Sequence, residues 1–490
     1  MILENILQDL PVKQLVVSDP HSLQREVLGI TQDSRLVRAG FIFVAIEGEA
    51  QDGHRYISQA IQQGAVAVVG SKDFQESLGV KVLVENARFS LAQLACRFYG
   101  NPSSAMRLIA VTGTNGKTTT SYLIESILKA AGRSVGVMGT VNYRYAGNSF
   151  VANNTTPESI DIQKMLADMK DAGVTDVVME VSSHALTMNR VYGIDFDIAA
   201  FTNLTQDHLD YHQSLEKYFE AKRNLFTDFL PKGVKKKFAV LNIESPWASK
   251  INPPPLVEIV SVGLKGATIS CEESILDEEG IRAKIKSKNH SFEVQVPLLG
   301  RFNLENILVS IGVAQALGMS AENIQRGLKD MPQVPGRLER IDNNRNLHVF
   351  VDFAHTPDAL ARVGEELRSL ATQRLITVFG CGGDRDKTKR PLMAAEAEKF
   401  SDMVIITSDN PRTENPESIL NDVMKGFSKK ENVFKISDRR EALSQAVSIA
   451  KGGDMILVAG KGHEDYQIIG KTKIHFSDQE VLRDLLKEAA

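Results

Sequence analysis

A glycine-rich segment between an apolar run and an amphipathic run carries the clearest chemical pattern in this chain. It reads Gly113-Thr114-Asn115-Gly116-Lys117-Thr118-Thr119 and follows the apolar residues LIAV. Backbone N–H groups at the start of a helix hold phosphates, and the helix dipole favours their charge. We predict that these seven residues bind a nucleotide, with Lys117 neutralising its terminal phosphates and Thr118 reaching Mg²⁺. A tight turn that needs glycine is the alternative. Val111 replaces the first glycine of the usual pattern, which predicts a loop that is tighter at its start.

Two further side chains follow apolar runs and are candidate metal ligands. Glu180 ends the run VVME, and His208 follows the run AAFTNL. Ligands of parallel sheets bind at the carboxyl edge, so both side chains are expected there. Mg²⁺ prefers oxygen, which makes Glu180 an easy ligand and His208 a less usual one. For His208 the alternative is a hydrogen-bonded structural histidine. These features alone do not separate ligases from motors, switches or kinases.

A third pattern, Asp409-Asn410-Pro411-Arg412, lies directly after the apolar run MVIIT. An arginine at the end of a parallel strand can hold a carboxylate with two parallel hydrogen bonds. An Asx–Pro turn is the alternative, and it explains three of the four residues. It leaves Arg412 unexplained.

The order of apolar runs predicts an α/β protein of three domains. The first hundred residues alternate strands such as FIFVAI and AVAVVG with helices, and NPSS at 101–104 is the expected exit linker. DVVMEV, DIAAFTNL and FAVLNI predict a mostly parallel central sheet. IVSVGL, IRAKIKS and HSFEVQVPLL predict a small β appendage around 255–300, followed by helices from Asn303 to about Lys329. Beyond Pro335 and Gly336 a Rossmann-like unit is expected. The predicted domains are 1–104, 105–335 and 336–490.

Composition excludes several classes of protein. The 490 residues include 57 basic and 61 acidic ones, a net charge of -4, so no overall field favours nucleic acid or an anionic membrane. The three cysteines lack paired spacing, as is typical of a reducing compartment. The first residues contain no apolar run long enough for a signal peptide or a membrane span. We expect a cytoplasmic protein with no nucleic-acid partner and no membrane insertion.

Taken together, the motifs resemble those of the Mur ligases over almost the whole chain. Folylpolyglutamate synthetases share the general architecture, but the serial order DSR, NTTP, SSHAL and DNPR is similar to the branch that makes the muramoyl tripeptide. The motifs that carry the resemblance are GTNGKTT at 113–119, NNTTP at 153–157, EVSSHAL at 180–186, TNLTQDHLDYH at 202–212, EAKR at 220–223, GRFNLEN at 300–306, PGRLE at 335–339 and VDFAHTPDAL at 351–360.

This resemblance implies an activity and a division of labour. The N-terminal domain would hold the UDP portion of a substrate, the central domain ATP, and the C-terminal domain the incoming amino acid. ATP would convert the carboxylate of UDP-MurNAc-L-Ala-D-Glu into an acyl phosphate, which the amine then attacks, in the synthesis of peptidoglycan for the cell wall. The implied cofactor is Mg²⁺, and we expect a monomer.

The resemblance also implies further site residues. Lys222 matches a lysine that is carbamylated and binds magnesium, against the alternative of a solvated helical lysine. A carbamate would replace a cation by an anion with two oxygens, which suits a hard metal. The implied nucleotide contacts are Asn306, Arg337, Asp352 and His355. The implied contacts to the UDP-sugar peptide are Gln32, Ser34, Glu49, Ala50, Gln51, Asn154, Thr155, Thr156, Ser182 and Arg190.

The amino acid implied is meso-diaminopimelate. Its far end carries a carboxylate as well as an ammonium, whereas lysine has only the ammonium, so Arg412 favours the former. Arg385, Gly460 and Glu464 match the family's remaining contacts, with Glu464 receiving the distal ammonium. Two alternatives stay open. One is the same ligase step with L-lysine, and the other is a P-loop protein that uses nucleotide as a conformational switch and is not a ligase.

Overall fold

The computed structural model describes residues 1–48, 51–75, 79–287 and 290–487, and it confirms the predicted α/β class. The chain divides into two compact units, Met1–Val262 with Val309–Asn323, and Gly263–Leu308 with Ile324–Ala490. The finer division into three domains at residues 104 and 335 stays a prediction. Within the described ranges, every helix is too short or too polar to cross a membrane.

The first unit begins with a five-stranded sheet in the order β1-β5-β4-β3-β2. Strand β1 is antiparallel to β5, and the other neighbours are parallel. Strand β3 covers most of the predicted run FIFVAI, whereas the second predicted strand begins two residues later than Ala65. The strands are β1 (Val12–Val17), β2 (Gly29–Thr31), β3 (Phe41–Ala45), β4 (Ala67–Gly70) and β5 (Val80–Val84), and the helices are α1 (Leu3–Leu7), α2 (Ile57–Gln62) and α3 (Ala87–Phe98).

A second sheet in the same unit carries the phosphate loop. Its strands are β6 (Arg107–Thr112), β7 (Val135–Met138), β8 (Asn142–Tyr145), β9 (Asn148–Val151), β10 (Asp176–Glu180), β11 (Ile198–Phe201), β12 (Lys237–Asn242) and β13 (Val257–Gly263). The order is β13-β12-β11-β6-β10-β7-β8-β9, and only the β7-β8 and β8-β9 pairs are antiparallel. The mostly parallel sheet is therefore confirmed. The expectation that IVSVGL belongs to the appendage was wrong, because this run forms β13 and pairs parallel to β12.

Helices follow the strands of this sheet as the apolar pattern predicts. Helix α4 begins at Lys117, directly after the glycine-rich loop, and its buried face includes Leu123 and Ile127. A π-helical turn, Leu225–Phe229, continues the helix that contains Lys222. The helices are α4 (Lys117–Ala130), α5 (Ser159–Asp171), α6 (Ser183–Thr187), α7 (Leu209–His212) and α8 (Leu215–Asn224).

The β appendage consists of three antiparallel strands, β14 (Ile269–Asp277), β15 (Gly280–Ser287) and β16 (His290–Val296). Strand β15 alternates buried and exposed residues, as expected of a strand with one solvated face. Strand β14 was not predicted, because its central residues are mostly exposed and polar. Two helices follow, α9 (Arg301–Ala316) and α10 (Ala321–Lys329), as predicted.

The C-terminal part of the chain forms a six-stranded sheet in the order β17-β18-β22-β19-β20-β21. All pairs except β17-β18 are parallel. Strands β22, β19 and β20 are adjacent, so the loops that follow them meet at one edge. The strands are β17 (Glu339–Ile341), β18 (His348–Asp352), β19 (Leu375–Cys381), β20 (Met403–Ser408), β21 (Val433–Lys435) and β22 (Met455–Ala459), with a hairpin of β23 (Tyr466–Ile469) and β24 (Thr472–His475) and helices α11 (Pro357–Leu370), α12 (Lys389–Phe400), α13 (Pro416–Met424), α14 (Arg439–Ile449) and α15 (Asp478–Lys487).

Candidate active site

The glycine-rich loop has the backbone conformation that its glycines predict. Gly113 has φ +151° and Gly116 has φ +86°, values that side-chain-bearing residues rarely adopt. A Cβ atom at Gly113 would also collide with Oγ1 of Thr202. Helix α4 begins at the next residue after Gly116, so its first N–H groups face the loop. The loop therefore has the strand–turn–helix context that phosphate binding requires.

Three residues of the TNLTQDH motif hold this loop in place, and sequence reasoning assigned no role to these three, Thr202, Asn203 and Thr205. Asn115 N donates to Oδ1 of Asn203 at 3.0 Å, and Thr202 Oγ1 donates to the Asn115 carbonyl at 2.6 Å. The Asn115 side chain donates to Oγ1 of Thr205 at 3.3 Å. Strands β11 and β6 are parallel neighbours. Thr202, the first residue after β11, therefore lies beside Gly113, the first residue after β6. That adjacency is the signal that could have identified them.

Two lysines converge on the same carbonyl group of the loop. Lys117 Nζ donates to the carbonyls of Gly113 and Thr114 at 2.9 and 2.8 Å. Lys222 Nζ donates to the Gly113 carbonyl at 2.8 Å, although the two residues are 109 positions apart. Positive charge is thus concentrated where a bound polyphosphate would lie.

Lys222 is not the solvated helical lysine that its sequence alone would favour. It is 1% exposed, and its Nζ lies 4.6 Å from the centre of the Tyr218 ring. Burial lowers the pKa of Lys222 well below its usual range, and the charge of Lys117 lowers it further. The side chain is therefore an amine that gives up its proton readily.

Glu180 and Thr118 place two side-chain oxygens together at the start of α4. Thr118 Oγ1 donates to Oε2 of Glu180 at 3.1 Å, and both residues are almost fully buried. Thr140, which sequence reasoning missed, donates its N–H and its hydroxyl to the same carboxylate at 3.0 and 2.8 Å. Within the described ranges, His, Cys, Asp and Glu form no group of three that could hold a metal. Mg²⁺ binds through few protein oxygens plus water and phosphate, so this pair suits it.

His208 lies at the N-terminal end of α7 with φ +53°. Its side chain is 46% exposed, with Nε2 3.5 Å from Oδ2 of Asp207 and the ring 4.9 Å from that of His184. Burial lowers the pKa of His208, Asp207 opposes this, and the charges of Lys117 and Lys222 lower it further. A neutral imidazole near both lysines can bind a metal. That His208 and Glu180 share one ion stays a prediction.

The residues predicted to contact the UDP-sugar peptide fall into two groups. Those in the second sheet lie together. Thr156 Oγ1 donates to the Glu180 carbonyl at 2.8 Å and accepts from Ser182 N at 3.0 Å. Arg190 donates to the Thr156 carbonyl at 3.0 Å, and Thr155 Oγ1 lies 3.1 Å from Oγ1 of Thr140. The Asn154 carbonyl accepts from the Tyr143 hydroxyl at 2.5 Å.

The other group lies in the loops of the N-terminal sheet. Ser34 Oγ donates to Oε1 of Gln59 at 3.2 Å, and Oε1 of Gln51 accepts from the Tyr56 hydroxyl at 3.5 Å. Gln32 is half-buried beside Ser34. Glu49 and Ala50 lie outside the described residues. Binding of one substrate by the two groups stays a prediction.

The remaining predicted nucleotide contacts lie in the second unit. Asn306 donates to Oδ1 of Asn303 at 2.9 Å, and the Arg337 guanidinium lies 4.9 Å from the centre of the Phe353 ring. Asp352 accepts from the backbone of Leu338 and Ala354 at 2.7 and 2.8 Å. Burial raises the pKa of Asp352, and Arg337 opposes that shift. His355 Nδ1 lies 2.7 Å from the Phe353 carbonyl. Their part in binding ATP stays a prediction.

The residues predicted to bind the amino acid meet at the carboxyl edge of the C-terminal sheet. Arg412 Nη1 donates to the Gly383 carbonyl at 2.8 Å, which joins the loop after β20 to the loop after β19. Asn410 donates to Oε2 of Glu464 at 2.9 Å, which joins it to the loop after β22. Gly460 begins that third loop, with φ +115°. Asp409 and Pro411 are buried, and Arg385 is exposed in the loop after β19.

A buried ion pair fixes the ends of two of these strands. Arg439 and Asp478 are both fully buried, and two hydrogen bonds of 2.7 Å join them. The same guanidinium donates to the carbonyls of Ser408 and Ala459 at 3.4 and 3.2 Å. These are the last residues of β20 and β22. The first residues of α14 and α15 therefore anchor the points from which the loops begin.

Glu414 joins the loops after β19 and β20, which predicts a pH-dependent stability. It accepts from the buried Arg390 at 2.9 Å and from the backbone of Asp384 at 2.7 Å. The hydrogen bond from Arg390 is the main reason why the pKa of Glu414 falls from 4.5 to about 2. Folding therefore favours the carboxylate, so its stabilising contribution is complete above the unfolded pKa of 4.5 and is lost as the pH falls to about 2.

We expect Glu414→Gln to lower the free energy of unfolding at pH 6. The difference in this free energy between variant and unaltered protein should shrink below pH 4.5 and vanish near pH 2. Urea denaturation across this range measures it. Glu417→Gln, at an exposed glutamate in the same segment, is the control. A difference that stayed constant with pH would contradict the assignment.

Comparison with known proteins identifies all three parts of the chain. Models for the Mur ligase family catalytic domain, the Mur ligase middle domain and the Mur ligase glutamate ligase domain match residues 26–99, 111–314 and 336–462. A UDP-N-acetylmuramoyl-L-alanyl-D-glutamate--2,6-diaminopimelate ligase from Geobacter metallireducens is 43% identical, with 95% of each chain covered. One from Clostridium botulinum is 42% identical, with 98% of this chain and 99% of the relative covered. A solved structure of a ligase of that name is 32% identical, with a TM-score of 0.72, covering 100% of this chain and 99% of the other. The order of these matches agrees with that of the motifs along the sequence, and the chain belongs to the Mur ligase family.

Proposed function

We propose that this protein is an ATP-dependent ligase that joins meso-diaminopimelate to the D-glutamate carboxylate of UDP-MurNAc-L-Ala-D-Glu, in the synthesis of peptidoglycan precursor. The observation that carries the proposal is that Arg412 and Glu464, side chains of opposite charge, belong to adjoining loops at one edge of a sheet. A cation and an anion in that arrangement suit the zwitterionic far end of diaminopimelate. L-lysine, which has no distal carboxylate, would leave Arg412 without a carboxylate to bind.

The first step is activation of the substrate's carboxylate. A carboxylate oxygen of D-glutamate attacks the γ-phosphorus of ATP, the bond to the β–γ bridging oxygen breaks, and ADP leaves with an acyl phosphate formed. Such a transfer needs little covalent help from the protein and depends on positioning and charge neutralisation. The loop amides hold the phosphates, and Lys117 offsets the charge that builds up on them.

The second step is attack by the amino group of the acceptor on the acyl phosphate carbonyl. The neutral amine adds to give a tetrahedral intermediate, which loses inorganic phosphate and a proton to leave an amide. Arg412 and Glu464 contribute by fixing the far end of the amino acid, because orientation of the two reactants lowers the entropic part of the barrier.

Glu180, Thr118, His208 and a modified Lys222 would hold magnesium, which when bound neutralises phosphate charge. The modification we propose is a carbamate, formed when the Lys222 amine adds to CO₂ and loses a proton. The burial of Lys222 and its lowered pKa support this, because only the neutral amine reacts. A carbamate would also bring a negative charge close to the Lys117 ammonium, which contacts the same Gly113 carbonyl.

Carbon-13 NMR of the protein equilibrated with ¹³C-bicarbonate tests the carbamate directly. We expect one carbamate resonance, which is absent from Lys222→Gln and retained in Lys232→Gln, a control at an exposed lysine just after the same π-helical turn. A spectrum without a resonance specific to Lys222 would contradict the modification, whatever the activity of the variant.

The decisive test of the activity is release of phosphate by the purified protein with ATP, Mg²⁺ and UDP-MurNAc-L-Ala-D-Glu, with meso-diaminopimelate or L-lysine at matched concentrations. We expect release and a tripeptide product with diaminopimelate. Preference for lysine would keep the ligase step and overturn the assigned acceptor. Hydrolysis that needs neither amino acid nor UDP substrate would favour a nucleotide switch.

We further propose that the enzyme works as a cytoplasmic monomer of three domains, 1–104, 105–335 and 336–490, since ATP and nucleotide-linked precursors are cytoplasmic substrates. Light scattering on the purified protein and fractionation of cells test the oligomeric state and the location. Limited proteolysis with cuts near residues 104 and 335 would support the domain boundaries.

A further inference from the structure

A lysine that sequence reasoning left without a role lies beneath the loops that carry Arg412 and Glu464. Lys461 follows Gly460 in the loop after β22, and its side chain is 0% exposed. A buried ammonium is costly unless hydrogen-bond acceptors and opposite charge surround it. Its position therefore needs an explanation in terms of what it contacts.

The Lys461 ammonium has three oxygen neighbours. Oε2 of Glu464 lies at 3.2 Å, and Oδ1 of Asp409 and Oδ1 of Asn410 both lie at 3.4 Å. An ammonium has three N–H donors, so the number of acceptors matches. Two of the acceptors are more than fifty positions away in sequence. One side chain thus joins the loop after β22 to the loop after β20.

Further hydrogen bonds fix the orientation of two of these acceptors, the side chains of Asn410 and Glu464. Asn410 Oδ1 also accepts from the backbone of Ile468 at 3.0 Å, while its Nδ2 donates to Glu464 at 2.9 Å. Glu464 Oε1 accepts from the Tyr466 hydroxyl at 3.3 Å. Each group therefore faces a partner of the correct polarity, and the amide orientation of Asn410 is fixed by its neighbours.

The exposures of these side chains decide which of them can touch a ligand. Those of Asp409 and Glu464 are 12% and 19% exposed, whereas that of Lys461 is fully covered. An amino acid at this edge can meet the two carboxylates but not the ammonium behind them. Carboxylates on the accessible side of this cluster suit a cationic group of the ligand.

We propose that Lys461 is a positioning residue for the acceptor amino acid, which holds the carboxylates of Asp409 and Glu464 and the amide of Asn410 in the geometry that receives the distal ammonium. The inference rests on the proposed function, because it concerns the same amino-acid site. Without Lys461, the two carboxylates repel each other and Glu464 turns toward solvent, so the amino acid loses a preorganised partner. Nucleotide binding uses other residues and should be unaffected.

Steady-state kinetics of Lys461→Met in the full chain test this inference. We expect the KM for meso-diaminopimelate to rise about 30-fold, the range that loss of a charge-assisted hydrogen bond gives, with the KM for ATP changed by less than about 2-fold. Arg374→Met is the matched control, because it removes a cation paired with Asp454 at the start of β19, away from the carboxyl edge. It should lower the melting temperature without changing the KM for the amino acid.

The outcomes distinguish a positioning role from a structural one. A rise in the KM for diaminopimelate alone supports the positioning role. Partial recovery of this KM in Lys461→Arg, which keeps a cation beside the carboxylates of Asp409 and Glu464, supports it even if Lys461→Met is poorly folded. Equal rises for ATP and amino acid, or a rise no larger than that of the control, would overturn it in favour of a structural role. If the unaltered enzyme uses L-lysine, the comparison is made with lysine. If it uses neither amino acid, the proposed function fails, and the inference fails with it.

Discussion

Replacement of Lys117 by Met is expected to lower kcat by about 10³-fold, because loss of a charge that offsets the transferring phosphoryl group costs this order of magnitude in comparable enzymes. The Lys117 ammonium lies inside the phosphate loop, where its charge would act on the transferring phosphoryl group. Its ammonium is bound to the carbonyls of Gly113 and Thr114, within the turn whose N–H groups would hold the phosphates. Phosphate release at saturating ATP, UDP substrate and amino acid measures the effect.

The control for this variant is Lys129→Met, which removes a lysine from the last turn of the same helix. Lys129 is 59% exposed and pairs with Glu125 at 2.7 Å, so its contribution to stability is small and its contribution to catalysis nil. We expect kcat to be unchanged in this control. Retention of more than about a tenth of kcat by Lys117→Met would contradict the role assigned to the loop.

Replacement of Arg412 by Met is expected to lower kcat/KM for meso-diaminopimelate by about 10²-fold, the effect of a charge-assisted hydrogen bond to a carboxylate. Arg412 has φ +53°, a backbone conformation that is unfavourable for a residue with a side chain. Its guanidinium donates a hydrogen bond to the Gly383 carbonyl. That combination indicates a functional constraint on the direction of the guanidinium. Any activity with L-lysine should change little, because lysine offers no distal carboxylate.

Competition between diaminopimelate and lysine in one reaction gives the most direct readout for Arg412, since the ratio of products does not depend on the amount of active enzyme. The control is Arg483→Met, which replaces a half-exposed arginine on helix α15. This variant should leave the ratio unchanged. If Arg412→Met reduced both products equally, Arg412 would be a structural residue of the DNPR turn.

The sequence predicted the parts of the fold that depend on local apolar pattern. Strands β10 and β11 are buried over their whole length, and β6 is buried at every residue after Arg107, so their apolar runs are readable in the sequence. Strand β13 is not, because Glu258 and Ile259 are exposed, and its mixed pattern resembles that of an antiparallel edge. Only its pairing with β12 shows that it is parallel. Pairing between distant segments is information that a local pattern does not contain.

The same limit applied to the candidate site. The motifs GTNGKTT and DNPR indicate phosphate binding and carboxylate binding, because a purely structural turn would not explain the lysine of the first or the arginine of the second. Thr140, Asn203 and Lys461 escaped notice since each acts through partners far along the chain: Thr140 through Glu180, Asn203 through the phosphate loop, and Lys461 through Asp409. A lysine in a glycine-rich loop is normally solvated, so its burial cannot be inferred from its neighbours in sequence.

The ion pair between Arg439 and Asp478 has a consequence for the order in which the protein matures during translation. The residues around the phosphate loop have all been synthesised once the ribosome has passed Lys222. The strand ends that carry the amino-acid loops acquire their anchor only when Asp478 has emerged, because the Arg439 guanidinium donates two hydrogen bonds of 2.7 Å to that carboxylate. Since domains fold as units from the N-terminal side during synthesis, the phosphate loop should form well before the amino-acid loops acquire their anchor.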